Sequence, residues 1–116
     1  MVKILLGDIE AGWRRVLREL AGENNQLEII GEVKQAIDIL LQAKKASADV
    51  VVLPQEIHGR EPGICSHLLL EYPNLVVLLV PSNGGPNVLC RMVLYREIRD
   101  ASKESLRIML RKLDPE

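Results

Sequence analysis

Three stretches of the chain are short and almost wholly apolar: Val2 to Leu6 (VKILL), Asp49 to Leu53 (DVVVL) and Leu75 to Val80 (LVVLLV). Runs of this length, rich in valine and bounded by turn residues, predict strands buried on both faces, as in a parallel sheet. Leu27 to Val33 (LEIIGEV) interleaves charge with apolar residues. That pattern predicts a strand with one wetter face, at a sheet edge.

Helical periodicity fills the intervals. Trp13, Val16, Leu17 and Leu20 recur at i, i+3, i+4 and i+7, with Arg14, Arg15 and Arg18 on other faces; this is one apolar stripe on an amphipathic helix. Ile37, Leu40 and Leu41 mark a second helix that ends near Lys44 and Lys45. Cys65, Leu68 and Leu69 mark a third, which must stop before Pro73. The last helix has Ser102 as its N-cap, Glu104 in its first turn and Arg111 and Lys112 near its end, where the helix dipole favours each sign of charge. Leu106, Met109, Leu110 and Leu113 form its buried stripe. Pro54 to Pro62 and Val80 to Pro86 are turn-forming loops. Asn87 to Ile98 reads as a short helix over Val88 to Met92 followed by a strand over Val93 to Ile98.

Strands and helices thus alternate from end to end. This predicts a single domain over residues 1–116: an α/β three-layer sandwich, doubly wound about a five-stranded parallel sheet of order 2-1-3-4-5, flavodoxin-like. In such folds a site lies at the carboxyl ends of the strands, here Gly7-Asp8 and Pro54.

Composition narrows the function. A chain of 116 residues suits one core. Its 15 Lys and Arg against 16 Asp and Glu give a formal net charge of -1, which argues against a dedicated nucleic-acid binder. The longest apolar stretch, Leu75 to Pro81, is far below the roughly 18 residues of a membrane span. Met1 leads straight into a strand pattern, so the expected location is the cytoplasm. Cys65 and Cys90 make neither a disulfide framework nor a zinc set, and are expected to be buried thiols. No nucleophile with a base, no metal set and no cofactor loop is visible. The expectation is a non-enzyme with no catalytic residue, metal or cofactor.

Over essentially its full length the sequence resembles the receiver domain of two-component response regulators, the CheY-like family. ILLGDIEAGWRRVLREL resembles the family's first strand and helix, and DVVVLPQEIHGREPG its third strand and following loop. YPNLVVLLVPS resembles the fourth strand, and RDASKESLRIMLRKL the end of the fifth strand with the last helix. The last match resembles the branch that carries helix-turn-helix output domains. The resemblance implies a signalling domain whose first strand ends in Mg²⁺-binding acids and whose third ends in a phosphorylated Asp. A hydroxyl and a Lys complete the family's site, because a hard cation and a cation side chain neutralise the phosphoryl oxygens.

The departures from that set decide the expectation. Carried over by position, the acidic pair becomes Gly7-Asp8 and the acceptor becomes Pro54. The hydroxyl position falls on Pro81, or on Val80 if the register slips, with Ser82 just beyond. The Lys position falls on Arg99. Proline offers no nucleophile, and one carboxylate holds Mg²⁺ too weakly. The resemblance therefore implies an atypical receiver that acts by phosphorylation-independent protein contact, with a homodimer expected. Its contact surface would be formed by Tyr95, Arg96, Arg107, Ile108 and Arg111. Direct nucleic-acid or membrane binding by this chain is not expected, although an output domain outside it would fit the branch. The alternative is a ligand sensor whose less charged pocket, lined by Gly7, Pro54 and Pro81, takes a small apolar molecule. Asp8 reads either as a remnant metal ligand or as a helix N-cap or partner of Arg99. Glu10, Glu56, His58 and His67 read as solvated surface groups.

Overall fold

The computed structural model describes residues 1–56, 62–93 and 96–111, without the side chains of residues 96 and 97. Its elements in chain order are β1 (Val2–Leu6), α1 (Ala11–Glu23), β2 (Leu27–Glu32), α2 (Ala36–Lys45), β3 (Val50–Pro54), α3 (Ile64–Glu71), β4 (Val76–Val80), β5 (Val88–Met92), β6 (Arg96–Asp100) and α4 (Lys103–Arg111). They form one six-stranded sheet of order β2-β1-β3-β4-β5-β6.

The α/β class and the order 2-1-3-4 are those the alternation predicts. β1 pairs parallel with β2 and β3, and β3 parallel with β4. Successive side chains of a strand point to opposite faces, so the apolar runs feed two cores. Ile4, Leu6, Val50, Val52, Leu78 and Val80 pack with Leu17 and Leu20 of α1 and with Leu106, Met109 and Leu110 of α4. On the opposite face Leu5, Val51, Leu53, Val77 and Leu79 pack with Ile39 and Ala43 of α2 and with Cys65 and Leu68 of α3. Cys65 and Cys90 are both buried in this second core, as expected.

Two expectations need correction. Of the stripe assigned to the second helix, Ile37, Leu40 and Leu41, only Leu40 packs against the core, and it is partly buried. Ile37 and Leu41 are exposed, and the buried residues are Ile39 and Ala43. Both faces of α2 carry apolar residues. Ile39 packs in the second core and reaches Gly7, its Cδ1 lying 3.3 Å from the position of an added Cβ.

The larger correction lies beyond β4. The predicted helix over Val88 to Met92 is strand β5, antiparallel to β4, and β6 is antiparallel to β5. The sheet is therefore six-stranded and mixed, not five-stranded and parallel, and four helices stand among the described residues. The cause is loop length. A parallel partner needs a crossover of about a dozen residues or more, and only residues 81–87 separate β4 from β5. The chain can only turn back. Pro81, Gly84 at φ +81° and Gly85 accommodate that reversal. Five residues hemmed in by Pro86 are also too few to nucleate a helix. As a strand they bury Leu89 on the α1/α4 face and Cys90 and Met92 on the other.

The last helix starts where predicted. The Ser102 hydroxyl accepts the Ser105 backbone N–H at 3.1 Å, satisfying one of the helix's orphan donors. α4 is fastened to α1 by ion pairs from Lys103 to Glu19 and Glu23 at 2.9 and 2.7 Å and from Arg107 to Glu23 at 2.7 Å; within α4, Arg107 also pairs with Glu104. The Lys103 hydrogen bond, then that of Arg107, holds the Glu23 carboxyl below the usual glutamate range. Lys112 and Leu113 lie outside the described residues. Among the described residues no helix is long and apolar enough to cross a membrane.

Candidate functional site

The carboxyl ends of β1, β3 and β4 meet at one edge of the sheet. Gly7 donates its N–H to the Val52 carbonyl at 2.8 Å, which brings its Cα close against β3. A Cβ there would stand 2.7 Å from Leu53 Cδ2 and 3.1 Å from the Val52 carbonyl oxygen. A side chain at Gly7 would therefore force its neighbours to shift. Asp8 is exposed. It lines a cavity of about 180 Å³ with Gly7, Arg14, Glu32, Val33 and Lys34. Its lining comes from α1, β2 and the segments that follow β1 and β2, on the β1–β2 side, with no residue of β3 or β4. Arg14 donates to the Ile9 carbonyl at 2.8 Å, and its Nε lies 2.9 Å from Glu32 Oε1 without the alignment of a hydrogen bond. The N-cap of α1 is Glu10, not Asp8.

Pro54 is the last residue of β3, half-buried and opposite Val80 in the ladder. Pro81 is buried just beyond β4. Between these two loops lies a residue that the sequence reading missed. Gln55 is only 6% exposed. Its N–H donates to the Val80 carbonyl at 2.9 Å, its side-chain amide donates to the Val88 carbonyl, and its own carbonyl accepts the Ser82 hydroxyl. Gly85 donates to the Ser82 carbonyl at 3.0 Å and packs close to the Glu56 carbonyl, which an added Cβ would approach to 3.2 Å. The ends of β3, β4 and β5 are thus stitched together by hydrogen bonds, and the Ser82 hydroxyl is spent on a backbone carbonyl. A polar side chain directly after a buried strand is the signal that would have found Gln55, since a buried amide must be satisfied.

Arg99 lies on β6 opposite Leu89, with β5 standing between it and β4. Two strand spacings put it roughly 10 Å from β4. Asp8 follows β1, four places from β6 in the sheet order, or roughly 19 Å; a pairing of Asp8 with Arg99 is ruled out by that separation. Of the five residues carried over by position, the structure gathers Gly7, Pro54 and Pro81 at one edge, turns Asp8 aside and sets Arg99 apart. Among the described residues no three His, Cys, Asp or Glu side chains converge in a way that would hold a metal ion.

The expected contact surface is also only partly described. Tyr95 lies outside the described residues, as does His58, and the side chain of Arg96 is not described. Arg107 turns towards Glu23 of α1, so it is not an outward basic group. With Arg111 it lines a cavity of about 280 Å³ against α1. Ile108 is half-buried.

No protein-family model matches the chain. Its sequence is 28% identical over 95 residues to the DNA-binding transcriptional activator DevR/DosR of Mycobacterium tuberculosis. That alignment covers 81% of this chain and 44% of the activator, so the chain spans less than half of that relative's length. Among solved structures, the isolated receiver domain of RcsB from Salmonella enterica serovar Typhimurium, with the phosphomimetic BeF3-, superposes with a TM-score of 0.57 at 15% identity. The match covers 73% of this chain and 64% of that one. The signal receiver domain of the response regulator NarL from Mycobacterium tuberculosis superposes at 0.54 with 20% identity, covering 73% and 69%. The receiver domains of response regulators therefore have the fold seen here.

Proposed function

We propose that this chain, with its receiver fold, is an atypical receiver domain over residues 1–116 that signals without being phosphorylated. It acts by protein contact, its own copy included, and it catalyses no reaction. Its natural setting on this reading is intracellular signal transduction. An output module elsewhere, of the DNA-binding kind named for DevR/DosR, would be what it regulates.

One observation carries the reading. On this reading Pro54 stands where a receiver presents its nucleophile, and the polar groups that follow it are already spent: the Gln55 amide donates to the Val88 carbonyl and the Ser82 hydroxyl to the Gln55 carbonyl. Phosphoryl transfer needs an in-line nucleophile, a clustered set of carboxylates for Mg²⁺ and a cation on the transferred group. Here Asp8 faces the β1–β2 side and Arg99 is held off by β5. Without that chemistry the two-state switch of an ordinary receiver has no phosphate input, and a binding partner must supply the differential free energy. The ligand-sensing alternative has less behind it. The cavity at this edge is small and lined by charged groups, and neither Pro54 nor Pro81 lines it.

The test is incubation of the chain with acetyl phosphate and Mg²⁺, followed by intact-mass measurement. The expected result is an unchanged mass. A stoichiometric phosphoryl adduct on the loop after β3 would overturn the proposal.

A further inference from the structure

β6 is the last strand of the sheet, and among the described residues no strand pairs with the outer side of its backbone, which is what strand addition needs. Edge strands are usually blunted by bulges or charges. The opposite edge follows that rule: β2 has a register shift against β1, and Arg14 and Arg18 bridge to its Glu32. β6 differs in two respects. Its ladder with β5 runs through five consecutive pairs, from Val88↔Asp100 to Met92↔Arg96, with no shift. It also carries Ile98, 59% exposed, the one large apolar residue exposed on a strand among the described residues. Ile98 is opposite Cys90, so it lies on the α2/α3 face of the sheet, past the point where those helices cover it.

The charges of β6 form a self-complementary series. Its sequence is Arg-Glu-Ile-Arg-Asp. Laid antiparallel against a second copy with Ile98 opposite Ile98, it sets Arg96 opposite Asp100 and Glu97 opposite Arg99. Every charged position meets its opposite, twice over by symmetry. Moving the centre one residue either way places Glu97 opposite Glu97 or Arg99 opposite Arg99. Opposite charges across an antiparallel pair stabilise it and like charges destabilise it. The same charges that block promiscuous edge pairing therefore permit one register with one partner.

We propose that β6 is a self-association edge. It pairs with β6 of a second copy of this chain about a two-fold axis through Ile98, joining the two sheets into one. The interface is isologous, as a closed dimer requires, and its affinity comes from main-chain hydrogen bonds, as in strand addition. The intermolecular pairs add to the interactions that Arg99 makes within its own chain and to the hydrogen bond that the Ser105 hydroxyl donates to Asp100 Oδ1 at 2.8 Å; a carboxylate offers about four acceptor sites, which leaves Asp100 room for the partner. This deepens the contact-based function by naming one partner, and it moves the self-contact from the last helix to the sheet edge.

The experiment is sedimentation velocity on the whole chain over a concentration series, for the parent, Arg99→Glu and the double variant Glu97→Arg/Arg99→Glu. The parent is expected to dimerise with rising concentration. Arg99→Glu sets acid opposite acid at both symmetric positions and weakens association about tenfold or more; the double variant restores opposite signs and recovers it. Melting curves of all three establish that each is folded. A second readout is independent of charge. Ile98→Cys brings two thiols together across the axis at a Cα separation of about 4.5–5.5 Å, within disulfide range, and is expected to form a covalent dimer on mild oxidation. Leu70→Cys, exposed on α3, is expected to form none. A parent that stays monomeric, a dimer indifferent to both charge variants, or an Ile98→Cys chain that does not cross-link overturns the proposal. None of these results bears on phosphorylation. A phosphoryl adduct would remove the proposed function and leave the edge intact.

Discussion

Restoring a side chain at Gly7 tests whether the first acid position is sterically closed. In Gly7→Ala the added methyl would stand 2.7 Å from Leu53 Cδ2, 3.1 Å from the Val52 carbonyl oxygen and 3.3 Å from Ile39 Cδ1. Leu53 and Ile39 are each only 3% exposed, so neither can swing into solvent, and the carbonyl belongs to a central strand. Overpacking of this kind costs about 1–3 kcal/mol. The substitution also stiffens the unfolded chain, which returns about 0.4–1 kcal/mol. The net loss is roughly 1–2 kcal/mol. At about 2.1 cal/mol/K per residue, the unfolding entropy of this chain is roughly 0.24 kcal/mol/K, so the melting temperature should fall by about 4–8 °C. Gly22→Ala is the control. It sits on α1 with nothing within 4 Å of an added Cβ, and it should raise the melting temperature by about 2 °C. Gly7→Asp adds a carboxylate to the same collision and should melt below Gly7→Ala. Circular dichroism melts of the four proteins provide the comparison. If Gly7→Ala melts at or above the parent while Gly22→Ala behaves as stated, the pocket has room for a side chain and the steric argument fails.

Two further outcomes follow from named contacts. Gln55→Ala leaves the Val88 carbonyl without its amide donor, and should cost about 1–3 kcal/mol. Differential scanning calorimetry reads that loss, and a wild-type melt would deny Gln55 its role in fastening β3 to β5. The acid limb of stability should follow Glu23 and Asp100. Hydrogen bonds from Lys103 and Arg107 lower the first, and those from the Ser105 and Ser102 hydroxyls lower the second. A carboxyl lowered in the folded state contributes its stability fully above its unfolded value, and loses it as pH falls through the folded value. Urea midpoints should therefore hold level near neutrality and fall below the ordinary values of 4.5 and 3.8. Glu23→Gln should make that fall shallower; an identical acid limb would show that its ion pairs do not persist in solution.

Much of the fold was legible because its signals are local. Val-rich runs fixed β1, β3 and β4 within a residue, and the period of Leu17 and Leu20 or of Leu106, Met109 and Leu110 identified which faces of α1 and α4 are buried. Ser102 was legible as a cap because the cap is made three residues away. What failed depends on distant neighbours. On α2 two apolar faces compete, and the buried one, Ile39 and Ala43, is set by packing against Leu5, Val51 and Leu53 of distant strands. In the candidate site, the proline that ends β3 was plain from residue identity. The role of Gln55 was not, since its partners Val80, Ser82 and Val88 come from two later segments.

The sequence by itself determined the α/β class, the parallel order 2-1-3-4 and the absence of a carboxylate at the end of β3, because each follows from side-chain identity and spacing along a short stretch. Only the tertiary structure decided that Val88–Met92 is strand β5, the antiparallel direction of β5 and β6 and the separation of Arg99 from β4. Those outcomes rest on whether residues 81–87 can span a crossover. That is a question of reach across a folded sheet, which no local pattern of hydrophobic and polar residues records.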